Sequence, residues 1–285
     1  PGLREAIARG NVGGALEVKG FGLNIHKFGA ALLRHLEARG VRVHWNTYAE
    51  RVALDGVGSV RGVWAGGELL EADHFVVSPG VAGAPLLQGS LSGPQLASML
   101  GVWISLPRPR DMLAPPLKVC RDGFASDESA AGANVIAGHA ADGTPLLHIS
   151  SGHGFLGENV DSVDERQVRA LFQAVEETGS ALFPESFRAA SASGLLEASR
   201  SRCIRPWTPT CLGLFETRPT SSGGVFAIAA GHNTGGFAQS PAVAQAVLAA
   251  LDGRPHPMHR SYHPERLASF IEPPTREALV LEAAS

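Results

Sequence analysis

The 285 residues carry 24 Lys+Arg against 27 Asp+Glu, a formal net charge of −3, and 44% apolar side chains. That is length for about two domains with cores of their own. The weak negative charge speaks against an electrostatic nucleic-acid binder, and no run reaches the roughly 18 apolar residues of a membrane span.

Lys27–Gly40 has Leu32, Leu33 and Leu36 at helical spacing and Gly40 as its stop. Val41–Trp45 then alternates apolar and polar residues like a strand. Val52, Leu54, Val60 and Val63–Ala65, around Asp55-Gly56 and Gly58, predict a short hairpin that Leu69–Asp73 continues. His74–Ser78 is short and apolar, a buried strand ending at Pro79-Gly80. The middle, from Ser90 to Ala198, changes character: Val102–Leu106, Leu117–Cys120, Asn134–Ala137 and Leu146–Ser150 are short strands between Pro, Gly and Asp turns. This predicts an antiparallel sheet in a second domain. Asp164–Leu182 is an amphipathic helix with Val168, Leu171, Phe172 and Val175 on one face, and Asp161 or Ser162 is its expected cap. Leu195–Ile204 reads as a strand, Gly224–Ala229 as another, and Ser240–Asp252 as a helix with Pro241 in its first turn. A short helix is expected near Thr275–Ala284.

Between the last strand and its helix lies Gly231-His232-Asn233-Thr234-Gly235-Gly236-Phe237. A strand, a glycine-rich turn and a helix make a geometry that holds an anion or a polar ring edge. Glycines let the backbone approach closely, and the helix N-terminus presents N–H groups and about half a positive charge. An ordinary tight turn fits the same residues. A G-x-G-x-x-G turn after an early strand would complete a dinucleotide site; Gly10, Gly13 and Gly14 have the wrong spacing. The three cysteines, Cys120, Cys203 and Cys211, form neither a disulfide framework nor a zinc-like cluster, so no metal is expected.

Four stretches resemble one family. The segment from Pro1 through Leu16 to Val41 is similar to the part preceding its second nucleotide-binding section. Ala72-Asp73-His74-Phe75-Val76-Val77-Ser78-Pro79-Gly80 resembles its AD-x-VV-x-AxG strand, and Cys203-Ile204-Arg205-Pro206-Trp207-Thr208-Pro209 its G-[LI]-R-P-x-TP motif. Gly231–Phe237 with Pro241-Ala242 resembles its GH-x-x-x-G-x-x-x-AP motif. On these residues the chain resembles the C-terminal part of the FAD-dependent D-amino acid oxidase superfamily, which includes glycine oxidase, sarcosine oxidase and D-amino acid dehydrogenases.

The resemblance implies an α/β plus α+β chain. It is part of a two-domain, Rossmann-like FAD-binding fold with an antiparallel-sheet substrate domain. Residues 1–89 would belong to the FAD domain, 90–198 to the substrate domain, 199–267 to the FAD domain again, and 268–285 to a tail. It implies FAD as cofactor and an amino or imino acid as substrate, oxidised by hydride transfer from its α-carbon. It also implies a second chain or cleaved segment that carries the missing G-x-G-x-x-G turn. An N-alkyl amino acid oxidase and a non-catalytic subunit are the alternatives. The expected location is cytoplasmic, or at a membrane if electrons pass to a quinone.

By the same resemblance, Arg205 pairs with the substrate carboxylate, which suits a planar, always-charged fork. Arg200 and Arg202 are its alternates. Gly235, Gly236 and Phe237 would present backbone N–H groups to the flavin; Gly231, His232 and Asn233 line the same turn or merely stabilise it. Val52 matches the adenine-facing position and Gly80 the glycine near the pyrophosphate. Cys203, five residues before Thr208, falls where sarcosine oxidases link flavin covalently, although a free thiol is the commoner state. His148 and His153 are candidates for a base or a substrate contact, against a structural role. After Pro209 the chain departs from the family: Thr210–Glu216 replaces the usual Asp-Gly-x-Pro-x-x-Gly.

Overall fold

The computed structural model describes residues 23–109, 117–119, 133–140, 142–157, 163–208, 210, 212–233 and 235–266. In chain order the elements are α1 (Ile25–Ala38), β1 (Ala49–Leu54), β2 (Val60–Ala65), β3 (Glu68–Leu70), β4 (Phe75–Val77), β5 (Ala97–Pro107), β6 (Leu117–Val119), β7 (Ala133–His139) and β8 (Pro145–Gly157). There follow α2 (Glu165–Leu182), α3 (Pro184–Ala192), α4 (Leu195–Ala198), β9 (Ser201–Trp207), β10 (Leu214–Pro219), β11 (Val225–Ala230), α5 (Gly236–Leu251) and α6 (Pro257–Ser261). The chain divides into two units. One gathers Met99–Ile204 with the N-terminal stretch ending at Trp45; the other gathers Asn46–Ser98 with the stretch from Arg205 onward. Among the described residues no helix is long and apolar enough to cross a membrane.

The first unit is built on a five-stranded sheet in the order β6-β7-β8-β5-β9, with β6-β7 and β7-β8 antiparallel. Its core follows from two periods. Leu100, Val102, Ile104 and Leu106 alternate along β5, as do Leu147 and Ile149 along β8. They meet Val168, Leu171 and Val175, which share a face of α2. Burying an aliphatic side chain of this size contributes roughly 1.5–3 kcal/mol, so this layer is the main source of the unit's stability. Asp164, not Asp161 or Ser162, caps α2: its carboxylate accepts from the Arg166 N–H at 2.8 Å. Asp161 and Ser162 lie outside the described residues.

In the second unit, β1, β2 and β3 form an antiparallel meander, as the turn residues predict. A second sheet has the order β10-β11-β4. Here β11 runs parallel to β4, Phe226 opposite Phe75 and Ile228 opposite Val77, and antiparallel to β10. Phe226, Ile228, Val60 and Leu87 make one core. Phe215, Ala229, Ala246 and Val247 make another, under α5. Glu216, buried on β10, accepts from Leu91 N–H (3.1 Å), Ser92 N–H (2.8 Å) and Ser92 Oγ (2.7 Å), which ties the loop before β5 to this sheet.

Several sequence expectations change. Val41–Trp45 forms no strand; its apolar residues stay exposed, because alternation makes a strand only where a neighbour completes the ladder. Leu195–Ala198 is a helical turn, and the strand begins at Ser201. Helix α5 begins at Gly236, so Pro241 sits inside it rather than in its first turn. Pro241 lacks the N–H that would reach the Phe237 carbonyl; Ser240 Oγ donates there instead, at 2.8 Å. The helix expected near Thr275–Ala284 lies outside the described residues.

Candidate functional site

The parallel strands β4 and β11 end side by side, and the chain leaves them at Ser78–Gly80 and at Gly231. The carboxyl ends of parallel strands are where open α/β sheets take ligands. Here they border a cleft of about 610 Å³, lined by Ser78 and Gly80 on one side, Gly231–Asn233 and Gly236 on another, and Val243 and Val247 of α5 below.

Backbone geometry dictates the glycines. Gly231 has φ +67°, and a Cβ there would run into the Thr208 methyl. Gly80 has φ +64° with open space where a Cβ would stand, so a ligand can lie against its backbone. Asn233 also takes a left-handed φ of 52°; its Oδ1 accepts from Thr208 N–H at 3.1 Å. Helix α5 starts behind them with Gly235 as N-cap, no side-chain cap and no acidic residue in its first turn. The positive end of the helix is thus neutralised by no side chain of that turn.

His232 is the polar pivot of the turn. Its Nδ1 lies 3.1 Å from Gln239 Oε1. Burial holds its pKa below the usual value, and the charge of Arg266 lowers it further against the opposing hydrogen bond to Gln239, so the ring is neutral at neutral pH. Among the described residues, His232 Nε2 and Asn233 Nδ2 are buried without a hydrogen-bond partner. Such atoms are costly to leave unpaired and are what a polar ligand would satisfy. The turn therefore fits the polar ring edge of a flavin on three counts: a close backbone approach, an uncapped helix N-terminus and two orphaned polar atoms. Among the described residues no group of His, Cys, Asp or Glu could hold a metal ion.

The other sequence candidates are placed as follows. Arg205 is half-buried on β9. Arg202 on the same strand pairs with Glu165 at 2.8 Å and Ile204 packs on the α2 core. By the two-residue period, Cys203 and Arg205 face the other way. Arg200 pairs with Glu176 and Glu197. The two alternates are thus engaged on the helix side, and Arg205 lies on the opposite face of the strand. Pro206, the next residue, lines the cleft. Cys203 is a free, exposed thiol. Gly235 caps α5 and Phe237 is exposed in its first turn. Val52 packs its side chain on the Val60 core and does not line the cleft.

His148 belongs to the first unit. Its Nδ1 meets Ser105 Oγ at 2.9 Å, its Nε2 edge lies where a Cβ on Gly138 would stand, and burial lowers its pKa. Both ring nitrogens are therefore in contact with the sheet itself. His153 is on the same strand, and its side chain lies outside what is described. The sequence reading missed Gln239, Tyr262 and Arg266, which bond the turn and its neighbouring loop; no short-range spacing links them, since the contacts span up to 56 residues.

The family model described as FAD dependent oxidoreductase (DAO) matches residues 2–250. No curated protein sequence matches the chain significantly. Solved structures of similar fold include glycine oxidase from Bacillus cereus ATCC 14579 (TM-score 0.56, 12% identity, 80% of this chain and 56% of that one). Others are L-proline dehydrogenase from P. horikoshii (0.58, 14%, 86% and 60%) and iminodiacetate oxidase from Chelativorans sp. BNC1 (0.55, 16%, 84% and 58%). This chain belongs to the DAO family of FAD-dependent oxidoreductases. It spans 56–60% of the length of these three structures, and at these identities the likeness establishes the fold.

Proposed function

We propose that this chain is the flavin-facing and substrate-facing part of an enzyme that oxidises an amino or imino acid. The observation that carries the reading is the turn Gly231–Gly236 before the uncapped α5, with His232 and Asn233 each leaving a buried polar atom unpaired. Backbone N–H groups of this turn would hold the polar edge of a flavin ring, where negative charge gathers on reduction. Bound FAD supplies the hydride-accepting chemistry. Arg205 would grip the substrate carboxylate and so orient the neutral amine; with the α-hydrogen passed as hydride to bound FAD, the iminium left behind would lose a proton and be hydrolysed by water to a 2-oxo acid and ammonia, or an amine. Three solved neighbours bear the names glycine oxidase, L-proline dehydrogenase and iminodiacetate oxidase, which favours an α-amino or imino acid over other carboxylates.

A polypeptide segment outside this sequence, in the same chain or another, completes the sheet beside β4 in this reading. Among the described residues strand β4 lies at the sheet edge, with Val76 51% exposed, and Leu248 of α5 is 58% exposed. Parallel strands are normally buried on both faces, and an apolar open edge is a template for pairing.

The test is the natively purified protein, examined by visible spectrum and intact mass, then mixed anaerobically with amino and imino acids. Bound flavin bleached by such a substrate is the expected result, and intact mass decides whether Cys203 carries it. Arg205→Lys should weaken apparent substrate affinity by about tenfold or more, the loss of one charge-assisted bond, and leave flavin affinity nearly unchanged. Bound flavin that no amino or imino acid bleaches would mark a non-catalytic subunit and overturn the reading.

A further inference from the structure

A strap follows α5 and returns to the turn. Met258 and Tyr262 pack on the Phe215–Ala246 core. His259 stacks on Phe215 at 4.8 Å, and its Nε2 lies 2.8 Å from the Ala246 carbonyl. The Phe215 N–H donates to the Tyr262 carbonyl at 2.8 Å. Gln95 Nε2 donates to the Pro264 carbonyl at 3.1 Å. The base of the strap is therefore fixed to β10, α5 and the loop before β5.

Two side chains reach from this base. Tyr262 O–H donates to Gln239 Oε1 at 3.1 Å, the same oxygen that His232 Nδ1 meets at 3.1 Å. An amide oxygen only accepts, so Nδ1 carries the ring's hydrogen and Nε2 is left as the acceptor. Gln239 itself lies over the turn, where a Cβ on Gly235 would run into its amide. Arg266, 5.3 Å above the Tyr262 ring, donates to the Gly213 carbonyl at 2.7 Å and to Thr210 Oγ1 at 3.1 Å. Gly213 abuts the His232 ring so closely that a Cβ would collide with it. Thr208 Oγ1 closes the same loop by donating to the Leu212 carbonyl at 2.5 Å. Thr210, Leu212 and Gly213, in the stretch that departs from the family motif, are thus held by a residue beyond the matched region 2–250.

We infer that Arg266 and Tyr262 are positioning residues for the cleft: through Gly213 and Gln239 they set where His232, and with it the Gly231–Gly236 turn, is held. Arg266 works from the loop side, pressing Gly213 on the ring, and Tyr262 from the helix side, orienting the Gln239 amide. What the turn binds rests on the flavin reading above; the coupling between strap and turn does not.

Hydrogen–deuterium exchange on the full chain tests it, in wild type, Arg266→Ala, Arg266→Lys, Tyr262→Phe and the control Arg254→Ala, whose guanidinium pairs with Asp252 at the surface. In Arg266→Ala, peptides covering 208–216 and 231–239 should exchange about tenfold faster or more, the loss of one charge-assisted bond, while β7 and β8 stay as protected as before. Lys should restore much of that protection, because an ammonium still donates to the Gly213 carbonyl. Tyr262→Phe should loosen 231–239 and leave 208–216 near wild type. Unchanged exchange at 231–239 in both Arg266→Ala and Tyr262→Phe would overturn the inference. So would equal acceleration across both units, or failure of Lys to protect any better than Ala; should Arg266→Ala not fold, Tyr262→Phe and Arg266→Lys decide alone. Flavin fluorescence titrated with the same proteins separates the two claims: local loosening without quenching in wild type supports the coupling and overturns the flavin reading.

Discussion

Two half-buried histidines, one in each unit, show what distinguishes a packed sheet from a turn at the rim of a cleft. His148 has Ser105 Oγ on Nδ1 and the backbone of Gly138 against its Nε2 edge. His232 has Gln239 on Nδ1, but its Nε2 is buried without a partner. Both lose basicity to burial. Only His232 also feels a nearby cation, and only His232 borders a cleft at the ends of parallel strands. The sheet unit is stabilised by apolar alternation, with the His148 ring packed against its own strands. The turn leaves polar atoms unpaired, at a cost in stability, where a ligand can complete them.

The largest expected effect lies in the packed unit. Leu147 is fully buried between β5, β7 and α2, and Leu147→Ala should cost about 2–5 kcal/mol of unfolding free energy, read from urea denaturation, with no change in flavin affinity of the folded fraction. Next is Gly231→Ala. A non-glycine residue at positive φ and a Cβ against Thr208 together cost roughly 2–4 kcal/mol, and flavin affinity should fall as well. If affinity survives, the turn is not the binding element and the contrast fails.

The smallest effect is a shared pH dependence. The folded pKa of each histidine lies below its usual 6.5. The unfolded chain therefore takes up the proton first, so each histidine's contribution is fully present above pH 6.5 and is lost as pH falls through the folded value. The slope is at most about 1.4 kcal/mol per pH unit for each group. Urea midpoints measured from about pH 7.5 down to 5 should fall, and His148→Asn and His232→Asn should each flatten the curve. Bound flavin should deepen the His232 contribution and leave that of His148 alone.

Much of this was legible locally. The spacing of Val168, Leu171 and Val175 defines α2, and the alternation in β5 and β8 defines the sheet it covers. The strand–turn–helix from Val225 to Leu251 also reads directly, since glycines between a β-rich run and an Ala-rich run have few other uses. Local signals failed where a neighbour decides. Val41–Trp45 alternates without a strand beside it. Pro241 looked like a helix start because its missing N–H is normally fatal inside one, until Ser240 supplies the donor. Arg200, Arg202 and Arg205 are equivalent on paper; Glu165 and Glu176, far away in sequence, separate them.

By itself, then, the amino-acid order determined the elements whose formation depends on side chains a few residues apart, together with the family, because motif residues such as Arg205 and the Gly231–Gly236 turn are read in sequence order. The tertiary structure alone decided which polar atoms are satisfied. Whether His232 Nε2 has a partner, whether Gly213 abuts its ring, and whether Arg266 reaches the loop 53 residues before it are settled by chain segments meeting across a fold. Hydrogen bonds act only within about 3.2 Å, and no pattern in a linear sequence encodes that distance.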